Sequence, residues 1–194
     1  MKNAMDLLIE KIQKTNNPTV MGLDPRYDML PECIRKKYSS DLDGACDAIL
    51  EFNKCLIDAT YDIVPAVKPQ IAFYEMFGCP GINAFEKTCN YAKSKGMMVI
   101  ADIKRGDIGT TAAGYSNAFL GKTPIGDESY SIYDVDFITL NPYLGIDSVK
   151  PFIDDAKKYN KGMFILVKTS NPNSGQLQDL KVNGVKLYER VGEL

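Results

Sequence analysis

Short apolar runs alternate with longer segments of helical periodicity along almost the whole chain. The apolar runs predict five strands, at residues 19–23, 63–67, 97–103, 136–140 and 163–168. Amphipathic spacing predicts helices at 4–15, 40–62, 82–96, near 108–120, at 145–161 and from 185 to 194, with Ser40 as the expected cap of the second. Strands that are apolar on both faces and alternate with helices indicate a parallel sheet covered by helices.

Two architectures are compatible with this alternation, a doubly wound open sheet and a (β/α)8 TIM barrel. A barrel needs eight strand–helix units and typically about 250 residues. Only about five units are visible in the 194 residues, and the sequence stops inside a predicted helix. No low-complexity linker interrupts the chain, so we expect residues 1–194 to form a single domain, truncated at its carboxyl end if it is a barrel. The pattern alone leaves both architectures open.

A charged or amide side chain follows each of the five apolar runs. These residues are Asp24, Lys68, Asp102 with Lys104, Asn141, and Lys168 with Ser170. Parallel α/β folds bind ligands at the carboxyl ends of their strands. Asp102 and Lys104 are two residues apart, so a regular strand points both the same way, and Lys68 on the neighbouring strand would reach the same space. We therefore predict a Lys/Asp/Lys cluster. Asp107 is expected in the loop that opens the next helix, where an aspartate also serves well as the N-cap.

The composition is that of an ordinary globular protein, with 45% apolar and 25% charged residues and a formal net charge of −2. This charge gives no electrostatic reason to expect nucleic acid as a partner. No apolar run approaches the length of a membrane span, and no signal peptide is visible. The five cysteines are odd in number and widely spaced, which is typical of reduced thiols in the cytoplasm.

The sequence contains no histidine. This absence excludes Ser-His-Asp and Cys-His catalysis and every histidine-ligated metal site. A proton donor or acceptor must therefore be a carboxylate, a lysine, a tyrosine or a cysteine.

Four motifs together carry a resemblance to one family. They are D-x-K-x-x-D at 102–107, GLDP at 22–25, VKP at 67–69 and TSNP at 169–172. The sequence resembles the orotidine 5'-monophosphate decarboxylases over essentially its whole length, and ADIKRGDIGTTAAGYSNAF with NPYLG is similar to the bacterial subgroup with longer loops. The D-x-K-x-x-D motif is shared with related sugar-phosphate enzymes, but its combination with GLDP and a preceding strand-end lysine is specific.

The resemblance implies a (β/α)8 barrel that forms a homodimer with shared active sites and decarboxylates a nucleotide monophosphate without metal or cofactor. It implies that Lys104 protonates C6 of the pyrimidine, that Asp102 lies against the departing carboxylate and that Lys68 orients both carboxylates. Asp107, Ile108 and Thr111 would come from the partner subunit, Asp24 would hold the ribose hydroxyls, and Ser170 would face the pyrimidine amide. The family's phosphate-binding groups follow the last two barrel strands, beyond the end of this sequence.

Two alternatives remain beside this hypothesis. The first is a metal-dependent sugar-phosphate decarboxylase or aldolase of the same barrel superfamily, which would lose activity with a chelator. The second is an inactive barrel fragment that associates only with itself or with a partner. An ultraviolet decarboxylation assay together with size-exclusion chromatography separates the inactive fragment from an enzyme, and the effect of a chelator separates the two enzymes.

Overall fold

A computed structural model describes residues 2–194 of the chain. The strands are β1 (Val20–Leu23), β2 (Ala66–Pro69), β3 (Met98–Arg105), β4 (Thr123–Ile125), β5 (Glu128–Tyr130), β6 (Phe137–Leu140), β7 (Gly162–Ile165), β8 (Lys181–Val182) and β9 (Val185–Lys186). The helices are α1 (Ala4–Thr15), α2 (Glu32–Arg35), α3 (Leu42–Thr60), α4 (Ala72–Glu75), α5 (Gly78–Ser94), α6 (Gly109–Phe119), α7 (Ile146–Tyr159), α8 (Gly175–Gln178) and α9 (Leu187–Gly192).

One parallel sheet of five strands organises the molecule. Its strand order is β1-β2-β3-β6-β7, and all four pairings are parallel. Two small antiparallel hairpins, β4–β5 and β8–β9, lie outside it. Within residues 2–194 the sheet is open, because β1 and β7 are its two edges and do not pair with each other. The predicted parallel α/β sheet is confirmed, and the described residues do not form a closed barrel.

The main core lies between one face of this sheet and the helices α3, α5, α6 and α7. Val67, Val99 and Ile138 project from neighbouring strands into a cluster that contains side chains from these helices. Tyr74 and Phe85 are fully buried there and pack edge to face, with ring centroids 5.3 Å apart. Burial of large side chains on this face is the main source of stability, since apolar burial contributes about 25 cal/mol per Å².

The opposite face of the sheet is covered by α1 at the amino ends of the strands. Leu8 of α1 packs with Ala66, Ile100 and Phe137 in a second buried cluster. Because strand side chains alternate between faces, the residues that follow on this same face are Lys68, Asp102 and Thr139. The face is therefore apolar where α1 covers it and polar at the carboxyl ends of β2, β3 and β6.

Several predicted boundaries differ from the observed ones. Asp41 rather than Ser40 caps α3, because the Asp41 carboxylate accepts a hydrogen bond from the Gly44 amide at 2.8 Å. Helix α5 begins at Gly78, four residues before the predicted start. Pro80 is tolerated there because it lies in the first turn, where the amide hydrogen that proline lacks would have no partner within the helix. The last strand of the sheet ends at Ile165 instead of residue 168. Within residues 2–194 no helix is both long enough and apolar enough to cross a bilayer.

Candidate active site

Asp102 lies at the centre of a charged cluster at the carboxyl ends of β2 and β3. Its Oδ2 accepts a hydrogen bond from Lys68 Nζ at 2.8 Å, and its Oδ1 accepts one from Lys104 Nζ at 2.5 Å. The Asp102 side chain is only 5% exposed, while those of Lys68 and Lys104 are 36% and 45% exposed. The structure therefore brings the predicted Lys/Asp/Lys cluster together, with the carboxylate beneath and two accessible ammonium groups above it.

Two further side chains complete the surroundings of Asp102, and sequence reasoning missed both. Gln70 Nε2 donates to Asp102 Oδ2 at 2.9 Å, and Thr139 Oγ1 donates to Asp102 Oδ1 at 2.7 Å. Gln70 follows Lys68 by two residues, which was the available signal for it. Thr139 stands in the strand FITL, where a threonine is common for its β propensity alone.

The hydrogen bonds decide the charge of Asp102. Burial on its own favours the neutral acid and raises the pKa, but the hydrogen bonds from Lys104, Lys68 and Thr139 outweigh it. The pKa of Asp102 is therefore lowered from its ordinary value, and the carboxylate is ionised at neutral pH. A buried charge of this kind is stable only when its lone pairs are satisfied, and here each oxygen accepts two hydrogen bonds.

Lys104 reaches Asp102 through a β-bulge rather than through regular strand alternation. The step from Ala101 to Arg105 in β3 pairs with the shorter step from Ile138 to Leu140 in β6. Within the bulge Lys104 has a φ of +48°, which is left-handed. This conformation is uncommon for residues other than glycine and costs about 1–3 kcal/mol. The expectation that both side chains share one space is met, but a regular strand is not the reason.

Asp107, Ile108 and Thr111 lie in and just after the loop that leads from β3 into α6. Asp107 Oδ1 accepts a hydrogen bond from the Ile108 amide at 2.8 Å. Ile108, not Asp107, is the N-cap of α6, and it makes no side-chain capping bond, so the interpretation of Asp107 as the cap was wrong. Ile108 is 53% exposed and Thr111 is also exposed. Within residues 2–194 no hydrogen bond joins these three residues to the Asp102 cluster.

Asp24 and Ser170 are both exposed and lie on opposite sides of the cluster. Asp24 follows β1 and lines a cavity of about 270 Å³ together with Arg26 and Asn53. Ser170 follows β7, at the other edge of the sheet. In the described part of the chain, neither one makes a hydrogen bond to Lys68, Asp102 or Lys104.

A second cavity, of about 340 Å³, lies near the carboxyl ends of β6 and β7. It is lined mainly by apolar side chains, including Leu166, Leu187 and Val191. This lining offers no charged group for catalysis, so we place the chemistry at the Asp102 cluster. Across residues 2–194, no group of three or more cysteine, aspartate or glutamate side chains is arranged to hold a metal ion.

Comparison with known proteins gives the same picture over nearly the whole chain. The model of the Orotidine 5'-phosphate decarboxylase / HUMPS family matches residues 20–191. An orotidine 5'-phosphate decarboxylase of Caldicellulosiruptor saccharolyticus is 42% identical over 197 aligned residues, which cover 100% of this chain. The structure of Leishmania donovani OMP decarboxylase matches with a TM-score of 0.74 and 32% identity over 98% of this chain.

The fold is shared more widely still. The orotidine 5'-monophosphate decarboxylase of Plasmodium berghei, at 22% identity, superposes with a TM-score of 0.80 over 97% of this chain, which indicates a TIM-barrel-like fold. This chain spans 65% of the Caldicellulosiruptor protein and 64% of the Leishmania chain. The match to the family model over residues 20–191 shows that the chain belongs to the orotidine 5'-phosphate decarboxylase / HUMPS family.

Proposed function

We propose that this chain carries the reaction centre of an orotidine 5'-monophosphate decarboxylase, which forms uridine 5'-monophosphate and CO2 in pyrimidine biosynthesis. The observation that carries the proposal is the ionised, buried Asp102 held between the ammonium groups of Lys68 and Lys104. Membership of the family supports it.

The two lysines suit a decarboxylation that has no electron sink. When the bond between C6 and the carboxylate breaks, its electron pair stays on a ring carbon, and CO2 leaves. A fixed ammonium group close to this carbon stabilises the negative charge as it develops. Lys104 would then give its proton to C6, forming the new C–H bond, and would regain a proton from solvent. The partial exposure of the Lys104 side chain supports both steps.

Asp102 and Lys68 would set the electrostatics around the substrate carboxylate. An ionised Asp102 facing that carboxylate disfavours the bound ground state and has no such effect once CO2 has formed. Lys68 uses one of its three hydrogens on Asp102 and keeps the others for the ligand.

The other predicted residues would bind the nucleotide. Asp24 would hold the ribose hydroxyls, and Ser170 would contact the pyrimidine amide. Asp107, Ile108 and Thr111 would reach the site of a partner subunit in a homodimer. The exposure of Ile108 and Thr111 supports this role, as does the lack of hydrogen bonds between the three residues and this chain's own cluster. We place the enzyme in the cytoplasm, acting without metal or cofactor.

We also propose that the five-stranded sheet belongs to a (β/α)8 barrel of which residues 1–194 form a single-domain part, about five units. The open edges at β1 and β7 and the coverage of 65% of a curated relative support this arrangement.

The decisive test is turnover of orotidine 5'-monophosphate by the 194-residue chain, followed by the change in pyrimidine absorbance. We expect conversion to uridine 5'-monophosphate that a chelator does not reduce. Loss of activity with a chelator would favour the metal-dependent sugar-phosphate enzymes. No turnover at any protein concentration would contradict the proposal for this chain and favour the inactive fragment.

A further inference from the structure

Lys104 is the exception among the residues with left-handed backbone. Within residues 2–194, five residues other than glycine have a positive φ, and four of them are asparagine or aspartate, namely Asn16, Asp134, Asn160 and Asn183. Those two residue types adopt this conformation readily because their short polar side chains bond locally. A lysine side chain is too long to bond its own backbone in this way, so the conformation of Lys104 must be held by its surroundings.

Thr139 supplies the contacts that hold it. The Lys104 amide donates to Thr139 Oγ1 at 3.0 Å, and the same hydroxyl donates to Asp102 Oδ1 at 2.7 Å. Lys104 Nζ donates to that same carboxylate oxygen at 2.5 Å. The three residues therefore form a closed ring in which the Thr139 hydroxyl ties the backbone of Lys104 to the acceptor of its own ammonium group.

The hydroxyl is the only part of Thr139 that these bonds require. It has one hydrogen, which goes to Asp102, and a lone pair, which receives the Lys104 amide. Thr139 is 9% exposed, so water does not readily take its place. Gln70 differs in this respect, because it reaches the other oxygen of Asp102 and leaves the backbone of Lys104 untouched.

We infer that Thr139 is a positioning residue, which fixes the bulge at Lys104 and thereby aims the Lys104 ammonium at the reacting carbon. The inference rests on the proposed decarboxylation for its kinetic consequence, but the contact itself is independent of that function. Thr139 itself need not touch the substrate in this role.

Amide hydrogen exchange tests the contact directly. Thr139→Val keeps the shape and removes the hydroxyl, and Thr139→Ser restores it. We expect exchange at the Lys104 amide to be about 3- to 10-fold faster in Thr139→Val, the size of one net hydrogen bond, and near the unsubstituted rate in Thr139→Ser. Thr88→Val is the matched control, because Thr88 is a buried threonine that accepts a hydrogen bond from Asn53 away from the cluster. It should leave Lys104 exchange unchanged.

Kinetics of the same variants test the positioning role. We expect Thr139→Val to lower kcat for orotidine 5'-monophosphate by about 10- to 100-fold with a much smaller change in KM, because misplacement of a reacting group acts on the chemical step. Thr139→Ser should recover most of kcat. Unchanged Lys104 exchange in Thr139→Val, or an unchanged kcat, would overturn the inference. An inactive unsubstituted chain would count against the proposed function instead, and the exchange rates alone would then decide the role of Thr139.

Discussion

Asp102 connects the two lysines of the cluster. Lys68, Gln70, Lys104 and Thr139 all donate to its two oxygens, and its side chain is almost fully buried. Removal of one partner from such a group is costly, because a buried charge is then left uncompensated. The arrangement is therefore a single unit, and a change at Asp102 is expected to alter both lysines together.

The charge of Asp102 predicts a dependence of stability on pH. Its pKa is lower in the folded chain than in the unfolded one, so ionisation stabilises the fold. This contribution is fully present above about pH 4 and is lost as the pH falls through the lower, folded-state pKa. We expect Asp102→Asn to reduce the free energy of urea unfolding at pH 7, and we expect this reduction to become progressively smaller as the pH falls below about 4. A reduction that stays the same size throughout the acid range would contradict this assignment.

Sequence alone located three members of this unit and missed two. Lys68, Asp102 and Lys104 were predictable because charged residues that end apolar strands are conspicuous. Thr139 was not, because threonine is ordinary in a strand and its partner Lys104 is 35 residues away. Gln70 follows a proline at the end of a strand, where a polar residue commonly begins a loop.

Among the elements, α1 determines which part of the sheet face opposite the main core is left uncovered. Leu8 packs against the apolar amino half of that face, and the polar carboxyl half is left free. The helix was fully predictable from its spacing, and its observed bounds are those predicted. The position of α1 on the face opposite the main core was not predictable, because the sequence pattern does not indicate which face of the sheet a helix covers.

The packing of α1 predicts unequal effects of two neighbouring leucines. Leu8 is 6% exposed and Leu7 is 39% exposed. We expect Leu8→Ala to lower the free energy of unfolding by about 2–5 kcal/mol, because it leaves a cavity beneath the helix. Leu7→Ala, the control on the same helix, should cost clearly less. Equal losses in denaturant unfolding would show that α1 does not pack as described.

The bulge in β3 could not be predicted from the D-x-K spacing. A regular strand already places Asp102 and Lys104 on one side, so nothing in the spacing indicates an irregularity. The bulge depends on pairing with β6, which is a long-range contact. The hairpin β4–β5 was missed for another reason, since its three-residue strands are too short to show alternation.

In the molecule as a whole, large apolar side chains are exposed both at an edge of the sheet and at the start of α6. Phe164 and Ile165 on the edge strand β7 are each 39% exposed, and Ile108 at the start of α6 is 53% exposed. The parallel sheet was predictable because each strand is a short apolar run in the sequence. The closure of a barrel was not, because it depends on pairing between strands that are distant in the sequence. The homodimer with shared sites is proposed at this scale.

Shared sites predict that two inactive variants complement each other. Lys104→Ala and Asp107→Ala would each lose decarboxylation, but a mixed dimer contains one site with both residues intact if Asp107 acts in the partner's site. We therefore expect activity to return when the two variants are refolded together. A mixture of Lys104→Ala with Lys68→Ala is the control and should stay inactive, because both residues belong to the same chain's cluster. No recovery in the first mixture would place Asp107 outside a shared site.

The proposed reaction depends on the ammonium group of Lys104, which stabilises and protonates the carbon that loses CO2. Its most direct test is the kcat of Lys104→Ala for orotidine 5'-monophosphate, beside Lys150→Ala, which removes an exposed lysine on α7. We predict that Lys104→Ala lowers kcat by about 10²- to 10⁴-fold, as expected for loss of a general acid, and that Lys150→Ala leaves it unchanged. Turnover by Lys104→Ala within a few-fold of the unsubstituted chain would show that Lys104 is not the proton donor.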